Sequence, residues 1–320
     1  MKKFEIAKPT LEEIDGCWSS NKLNSVFTKR QFLEKVSYSV DWYSVKKGDD
    51  TVCVWPICLN EKNKVYLPDF TYYVGPIWSE KYFNSPNHRK LSIQTNVYEE
   101  FIKKFESKYS YIQASLPIYI YDVRVFDWWN YHDQSKERIK LSPRYTSIIT
   151  DLQKRDFKLD YRQTRRNILR NLENKKNYIF EKCHDKDRII NLYNQVMSRS
   201  NIKVDKITKE TVHLILDYAL SNNGSILQIR DTICNKISYA SICLSENHTA
   251  NLIISIVAND YRKQDLAVLG IHKTINFWKE KGIDNFDFNG SNSPQRGDDK
   301  HSYGGETKLF FDLNYRTVLC

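Results

Sequence analysis

Long hydrophobic runs are missing from this chain of 320 residues. No segment approaches the roughly 18 apolar residues that a membrane-spanning helix requires. The start, residues 1–13, has basic residues but no apolar stretch of the length found in signal peptides. We therefore expect a cytoplasmic protein with no transmembrane segment.

Cysteine is sparse and is not arranged for metal binding. The chain has seven cysteines, an odd number, and neither a Cys-x-x-Cys spacing nor a clustered histidine accompanies them. Most lie in apolar, strand-like runs, which predicts buried thiols, no metal site and no cysteine nucleophile. The seven are Cys17, Cys53, Cys58, Cys183, Cys234, Cys243 and Cys320.

Apolar and aromatic residues, in contrast, are plentiful. Hydrophobic residues make up 41% of the chain and charged residues 28%, with 21 Tyr, 15 Phe and 7 Trp. The charges are interspersed, as is typical of a folded globular protein. Because domains commonly have about 150 residues, we expect two of them, spanning 1–152 and 153–320.

The net charge is +10, and one basic cluster stands out within it. Residues 154–176 contain nine basic and three acidic side chains. Such a cluster suits an anionic ligand, whether a nucleotide phosphate, coenzyme A or RNA. A solvated basic helix that turns Leu159, Ile168, Leu169 and Leu172 inward explains the same pattern equally well.

Hydrophobic periodicity predicts a mixed fold in the first domain. Thr10 followed by Glu13 forms a capping box, which marks the start of a helix. The glycine at 48 with two aspartates after it joins two strands as a hairpin. The predicted strands are 4–8, 41–47, 51–59, 64–67, 71–78, 111–116 and 144–152, and the predicted helices are 10–18, 28–37 and 86–108.

The second domain repeats this order of elements. After the basic helix, the pattern predicts strands 178–183, 225–230, 235–244 and 248–258 and helices 186–199, 208–221 and 264–281. Gly282 is placed to adopt the left-handed conformation after the last helical turn. The shared order indicates a structural duplication, although no sequence identity links the two halves.

Residues 282–305 carry most of the functional signal. The short apolar strand Ile283 to Phe288 ends in a polar segment with several glycines, and residues 289–300 contain no large apolar side chain. We expect a loop that turns closely around a ligand. The side chains expected to face the ligand are Arg296, Asp298, Asp299, Lys300 and His301. An ordinary surface connection is the alternative.

Three antiparallel strands followed by a helix and a strand resemble the layout of the GNAT superfamily of acetyltransferases. A tandem pair resembles the Fem-type (FemABX) aminoacyl transferases and related enzymes of cell-envelope clusters. The resemblance is carried by Arg-Arg-Asn-Ile-Leu-Arg at 165–170, Ala-Asn-Asp-Tyr-Arg at 258–262, and a strand ending in Gly290-Ser291 with Lys300 and Tyr303 behind it. It implies an α/β fold (α+β with mixed sheets) made of two tandem GNAT-like domains.

The resemblance also implies roles for individual residues. The first domain would bind the acceptor and the second the acyl donor. Lys300 would stabilise the developing oxyanion, Asp287 or His301 would accept the amine proton, and Tyr303 would protonate a thiolate or anchor the loop. The implied donor-binding residues are Val257, Ala258, Arg262, Lys263, Gln264 and Ala267, and the implied substrate-binding residues are Arg162, Arg165, Arg166 and Arg296.

These roles predict an N-acyltransferase that uses acetyl-CoA to acylate a nucleotide-linked amino sugar or an envelope precursor. Fem-type transfer from aminoacyl-tRNA to a peptidoglycan precursor is the alternative. Asp265 stands where the acetyl-CoA pattern has glycine, and an acidic side chain there would repel phosphate. Asp299 stands where the Fem-type pattern has an aromatic residue. A non-catalytic module that binds nucleic acid or protein is a third reading.

Two further patterns have simple interpretations. Asp287 with Asp298-Asp299-Lys300 matches the spacing of metal-dependent nucleases, but the intervening residues do not favour a strand, so we expect no DNA substrate and no metal. Flat aromatic side chains in the first domain are candidates to line an acceptor cleft, although most should be core. They are Trp42, Trp55, Tyr72, Tyr73, Trp78, Trp128 and Trp129.

Overall fold

The computed structural model describes residues 3–173, 175, 177–199 and 203–317. The chain forms two compact units. Unit 1 contains the residues up to Arg144 together with those from Leu309 onward, and unit 2 contains Tyr145–Lys308. Cys320 lies outside the described residues.

Unit 1 is built around a four-stranded antiparallel sheet in the order β1-β2-β3-β4. The first helix begins at the predicted capping box, in which the Thr10 hydroxyl accepts from the Glu13 main chain and the Glu13 carboxylate accepts from the Thr10 main chain. In chain order the elements are β1 (Phe4–Ala7), α1 (Leu11–Ser20), α2 (Arg30–Val36), β2 (Ser39–Lys47), β3 (Asp50–Leu59), β4 (Ile77–Trp78), α3 (Glu80–Phe83), α4 (Asn87–Glu106), β5 (Tyr111–Ser115) and α5 (Arg124–Asp127).

Helix α4 supplies one side of the unit 1 core. Val97, Phe101 and Phe105 recur every four residues, so they share one face of the helix, and all three are fully buried. Trp55 on β3 packs edge-on against Phe101 and Phe105. Of the aromatic side chains considered for an acceptor cleft, Trp55 and Trp78 are therefore core residues, whereas Trp128 is 49% exposed.

Unit 2 contains strands in the order β6-β11-β10-β9-β8-β7, with β6 contributing its last residues. Strand β6 (Lys140–Ile149) precedes α6 (Gln163–Leu172), β7 (Tyr178–Lys182), α7 (Lys186–Arg199), α8 (Lys206–Ser221), β8 (Gly224–Asp231), β9 (Lys236–Glu246), β10 (Thr249–Val257), α9 (Leu266–Glu280), β11 (Asn285–Asp287), α10 (Pro294–His301) and β12 (Glu306–Arg316). The final strand pairs with β5 from Asp312 to Arg316, inside unit 1.

Strands β10 and β11 run parallel over the whole length of β11. They pair from Thr249 to Asn251, opposite Asn285 to Asp287, where β11 ends. Strand β10 continues alongside β9 to Val257, with an irregularity in the pairing between Leu252 and Ile254. Beyond Asn251, this edge of β10 therefore has no partner strand among those described.

The two units share one order of elements, strand, two helices, three strands, long helix, strand. The prediction of two separate strands at 64–67 and 71–78 was wrong, since this stretch holds only β4 and an isolated bridge between Leu59 and Val65. Phe70 and Tyr73 adopt positive φ there, which interrupts an extended strand.

The expected loop at 289–300 was also wrong in part, because Pro294–His301 is helical. Pro294 occupies the first helical position after an extended Ser293, where its fixed φ favours helix and its missing N–H costs nothing. A β-carbon at Gly297 would lie 3.1 Å from the Ser291 carbonyl oxygen, so the helix approaches the preceding turn closely.

Five of the six described cysteines are buried, and Cys234 is exposed. Burial raises the pKa of the Cys17, Cys58 and Cys243 thiols to about 12. Across the described part of the chain, no helix combines the length and apolar character needed to cross a membrane.

Candidate functional site

Buried and half-buried polar side chains gather where β11 ends. We call this group the β11-end cluster: the buried Thr146, Ser147, Asp287, Asn289 and Tyr303, and the half-buried Ser291 and Lys300. Asp287 is only 2% exposed. One of its carboxylate oxygens accepts from the Thr146 hydroxyl at 2.5 Å and from the Asn289 main-chain N–H at 2.8 Å. These contacts fix the carboxylate at the end of the strand.

Lys300 reaches this strand end from α10. Its Nζ donates to the carbonyl oxygens of Phe288 at 2.8 Å, Gly290 at 2.7 Å and Asn289. The turn at Asn289 and Gly290 has left-handed φ values of 48° and 59°, and its carbonyls converge on the ammonium group. Lys300 therefore holds the shape of the turn that follows β11.

Burial lowers the pKa of Lys300 to about 8, against the opposing effect of the Asp287 carboxylate. Since the value lies near neutrality, the side chain can exchange its proton at physiological pH. All three of its donors are engaged by main-chain carbonyls, which is the hydrogen-bonding capacity of an ammonium group. Its role at an oxyanion stays a prediction.

Tyr303 lies beneath the turn and His301 lies beside it. Tyr303 is fully buried, stacks on Phe288 and meets Tyr161 edge-on. Its hydroxyl has no hydrogen-bond partner among the described residues, and burial raises its pKa well above the ordinary value. His301 Nδ1 lies 3.3 Å from the Gly305 carbonyl oxygen. The placement of Tyr303 suits an anchoring residue.

Arginines of the α6 region bind acids on α10. Arg162 contacts Asp298 through two nitrogens, at 2.9 and 2.6 Å. Arg165 donates to the Asp299 carboxylate and to the Ser302 hydroxyl. These contacts offset part of the positive charge of residues 154–176 within unit 2. Because Asp298 and Asp299 are paired with arginines, they do not form the acidic pair of a nuclease.

The other two predicted substrate-binding arginines lie apart from this pairing. Arg166 donates to the Leu159 carbonyl and to Gln163. Arg296 is exposed on α10, and its positive charge contributes to the lowered pKa of Lys300. Nowhere in the described ranges do three His, Cys, Asp or Glu side chains gather as a metal site would require.

The predicted donor-binding residues form the link from β10 to α9. Val257 ends β10, Ala258 donates its main-chain N–H to the Ser238 carbonyl, and a 3-10 turn over Asn259–Gln264 follows. Gln264 accepts from the Tyr178 hydroxyl at 2.5 Å. The remaining predicted donor-binding residues are Arg262 and Lys263, which are exposed, and Ala267, which lies in the first turn of α9.

Asp265 caps the start of α9 in an unusual conformation. Its φ of 56° is left-handed, a region where glycine is the unstrained choice. The side chain is exposed and makes no capping hydrogen bond. A carboxylate therefore stands at the helix N-terminus, where main-chain N–H groups would otherwise attract a phosphate.

Sequence reasoning missed Asn289 and its neighbours on β6. Asn289 is 1% exposed, and its side-chain nitrogen donates to the Leu252 carbonyl at 3.2 Å, linking the end of β11 to β10. Its side-chain oxygen and the Ser147 hydroxyl are buried without a partner in the described ranges. The available signal was two polar residues, Thr146 and Ser147, directly before the apolar pair Ile148-Ile149 in a predicted strand.

The fold is similar to that of tandem GNAT-like proteins with a FemABX-like arrangement. This confirms the predicted fold class and the Fem-type resemblance. No family model and no curated protein matches the sequence, so the likeness lies in three-dimensional structure.

Solved structures give the particular likenesses. The structure of FemX is similar with 12% identity over 96% of both chains and a TM-score of 0.65. L-PGS from Bacillus licheniformis is similar with 14% identity over 97% of this chain and 92% of that one, with a TM-score of 0.56. A glucosamine N-acetyltransferase region of a fungal multi-domain protein has 11% identity over 98% of this chain and 38% of that one, with a TM-score of 0.51.

Proposed function

We propose that this chain is a Fem-type transferase that moves an amino acid from aminoacyl-tRNA to an amine of a peptidoglycan precursor. The observation that carries the proposal is the likeness to FemX, which extends over 96% of both chains and so includes both units. An aminoacyl donor thus becomes the favoured choice, and the initial preference for acetyl-CoA becomes the second candidate.

The start of α9 favours the same donor. Coenzyme A carries a pyrophosphate, which GNAT enzymes hold at this helix N-terminus. The Asp265 carboxylate at that position repels such a group through like charge. The terminal adenosine of an aminoacyl-tRNA carries a single phosphodiester charge in place of the pyrophosphate, so Asp265 opposes this donor less.

The proposed reaction is aminolysis of an ester. The neutral acceptor amine attacks the ester carbonyl carbon and a C–N bond forms. The C–O bond to the tRNA ribose then breaks, and the ribose oxygen takes up the proton that the amine releases. The reaction therefore needs no covalent intermediate on the protein.

We assign the charge-stabilising role in this reaction to Lys300. A group that stabilises the oxyanion has to be held in place before the reaction, and the three carbonyl contacts hold Lys300 in this way. To bind the oxyanion, the Lys300 ammonium group has to replace one of its three carbonyl contacts with a contact to the ligand. Asp287 and His301 remain the proposed proton acceptors, and the exposed Arg296 is a proposed contact for an anionic substrate.

Acetyl-CoA transfer to a nucleotide-linked amino sugar is the second candidate. One structural observation favours it, namely that β11 ends at Asp287, so β10 beyond Asn251 has an edge with no described partner strand. Main-chain groups on that edge can pair with an extended acyl arm. Arg262 and Lys263 stand just before α9 and would face the phosphates.

Transfer assays separate the two candidates. The purified protein is incubated with total tRNA charged with radiolabelled amino acids and with a uridine-diphosphate-linked muramoyl pentapeptide, and label in the peptide product is measured. Parallel reactions contain acetyl-CoA and a panel of amino sugar nucleotides, with free thiol as the readout. Labelled peptide supports the Fem-type proposal, and thiol release without it supports the coenzyme candidate.

Binding of charged tRNA supplies an independent measurement. The affinity should fall steeply with salt, because basic side chains that contact phosphates displace counterions. Tight binding of charged tRNA without transfer to any acceptor would instead support a non-catalytic binding module and would contradict the proposal.

A further inference from the structure

A pocket of about 470 Å³ opens in unit 1 where the edge strand β1 stops. Strand β1 pairs with β2 only from Phe4 to Ala7, opposite Lys47 to Ser44. The earlier residues of β2, 39–43, pair with β3 on one side, and no described strand pairs with their other side. The pocket therefore borders an open sheet edge, where main-chain N–H and C=O groups can accept a further strand.

The two faces of this edge differ in chemistry, because successive residues of a strand point to opposite sides. Asp41 points towards the end of α4, where its carboxylate accepts from Lys108 at 2.7 Å and from the Tyr109 hydroxyl at 2.5 Å. Trp42 points the other way and packs against the cluster that contains Ile14 of α1.

The face towards α4 is basic. Three lysines line the pocket and one aspartate offsets them, which leaves an excess of two positive charges. Lys108 is paired with Asp41, and Lys8 lies close enough to lower the pKa of that carboxyl group through its charge. Lys104 is exposed and has no acidic partner within the described ranges. This face suits acidic side chains.

The face towards α1 is apolar. It is formed by the Trp42 ring, the buried Ile14 and Leu11, which is 58% exposed. The indole N–H of Trp42 is buried and has no acceptor among the described residues. A buried donor normally has a partner, and this one lacks it on a side chain that lines the pocket.

We propose that this pocket binds an extended peptide, which adds to the sheet as a strand beside residues 39–43 and continues the line of β1. Strand addition takes affinity from main-chain hydrogen bonds and specificity from alternate side chains. The two faces here select a peptide in which acidic residues, facing Lys104 and Lys108, alternate with apolar residues, facing Trp42. This interaction is separate from the proposed transfer reaction.

The test uses a fluorescein-labelled hexapeptide of alternating valine and glutamate, with fluorescence anisotropy as the readout. The double variant Lys8→Glu, Lys104→Glu should bind it at least about tenfold more weakly, because both reversals place like charge next to the glutamates. Both positions are exposed, so the fold should be unaffected. Lys62→Glu, which is exposed in unit 1 but outside the pocket, is the matched control and should bind as the native chain does.

Three control peptides test the binding mode. A peptide with lysine in place of glutamate should not bind. The other two keep the valine and glutamate side chains and are N-methylated either at the valines or at the glutamates, because the N–H groups of alternate residues point to opposite edges of a strand. The one whose methyl groups face the sheet should lose at least about tenfold in affinity, and equal binding of both methylated peptides would overturn strand addition.

A site-resolved measurement completes the test. The indole N–H resonance of Trp42, assigned by its loss in Trp42→Phe, should shift on addition of the peptide because the group is buried at the pocket. An unmoved resonance would overturn the proposal. Displacement of the peptide by uridine diphosphate would also overturn it and would identify the pocket as a nucleotide site.

Discussion

Units 1 and 2 have the same order of elements but differ at their fourth strand. In unit 1 this strand, β4, has two residues and pairs only with β3 among the described strands. In unit 2 the corresponding β10 has nine residues, pairs with β9 and begins a parallel pairing with β11. Among the described strands, the open edge that follows a parallel pairing therefore belongs to unit 2, next to the β11-end cluster.

The comparison shows that two units with the same order of elements can have different functional sites. Unit 2 contains the β11-end cluster, and the chemistry proposed above depends on it. Unit 1 buries aromatic side chains such as Trp55 and Trp78 in its core and leaves an open edge at β2. The expectation that unit 1 binds the acceptor and unit 2 the donor agrees with this asymmetry and stays a prediction.

The largest expected effect is on transfer activity. Lys300→Ala should lower kcat/KM by about a hundredfold or more, since it removes both the turn's central donor and the proposed oxyanion contact. Radiolabel transfer measures the effect. Lys308→Ala, an exposed lysine paired with Glu306, is the control. An unchanged rate in Lys300→Ala would show that the β11-end cluster takes no part in the transfer reaction.

The lowered pKa of Lys300 should appear in the pH dependence of stability. The unfolded chain keeps this proton up to a pKa of about 10.5, whereas the folded chain releases it near 8. Between these values the unfolded state binds more protons, so stability rises with pH.

From pH 7.5 to 9.5 the contribution of Lys300 should raise the free energy of unfolding by about 2 kcal/mol. Urea titrations of the native chain and of Lys300→Met at both pH values measure it. The same rise in both proteins would contradict a buried Lys300.

The packing of unit 2 can be tested at Gly270. A β-carbon at Gly270 on α9 would lie 2.4 Å from the Tyr239 ring, and both residues are buried in the unit 2 interior. Gly270→Ala should therefore lower the free energy of unfolding by about 1–3 kcal/mol through overpacking. Chemical denaturation measures it, and a neutral result would show that α9 can move away from β9.

Asp265→Gly tests the donor preference of unit 2. Removal of the carboxylate from the start of α9 should tighten coenzyme A binding about tenfold. This is the expected size of repulsion by one like charge at an effective dielectric constant of about 20, when the two charges are farther apart than in a direct ion pair. Binding of charged tRNA should stay the same. Calorimetry measures the first and filter binding the second. Unchanged coenzyme A affinity would mean that Asp265 does not set the donor.

The smallest effect is expected in unit 1. Gly16 lies inside α1, is exposed, and an added β-carbon there would meet nothing within 4 Å. Gly16→Ala should raise the free energy of unfolding by about 0.5–1 kcal/mol, because alanine restricts the unfolded chain and favours helix. A loss of stability in thermal melts would contradict the open surroundings of this position.

Local signals in the sequence predicted much of the fold. The capping box at Thr10 and the spacing of Val97, Phe101 and Phe105 are short-range patterns, and each determines its helix directly. The start of α10 was missed because glycines and acids outweighed the Ser293-Pro294 signal. Strand β4 was overestimated because alternation alone does not show whether a partner edge exists.

The candidate site was predictable in its residue types but not in its contacts. Lys300 and Tyr303 were found by resemblance, whereas the three carbonyls around Lys300 depend on a turn conformation that sequence does not specify. The pairing of Arg162 with Asp298 joins residues 136 positions apart, so no local pattern predicts it.

The contrast between one exposed thiol and five buried ones has a practical consequence for spectroscopy. Thiolate, the reactive form, is scarce in a group whose pKa is raised to about 12, as at Cys17, Cys58 and Cys243. A maleimide dye should therefore select Cys234 among the described cysteines, and replacing Cys320 beforehand would leave a single reporter on unit 2. Such a reporter would follow ligand binding to unit 2 without any redesign of its interior.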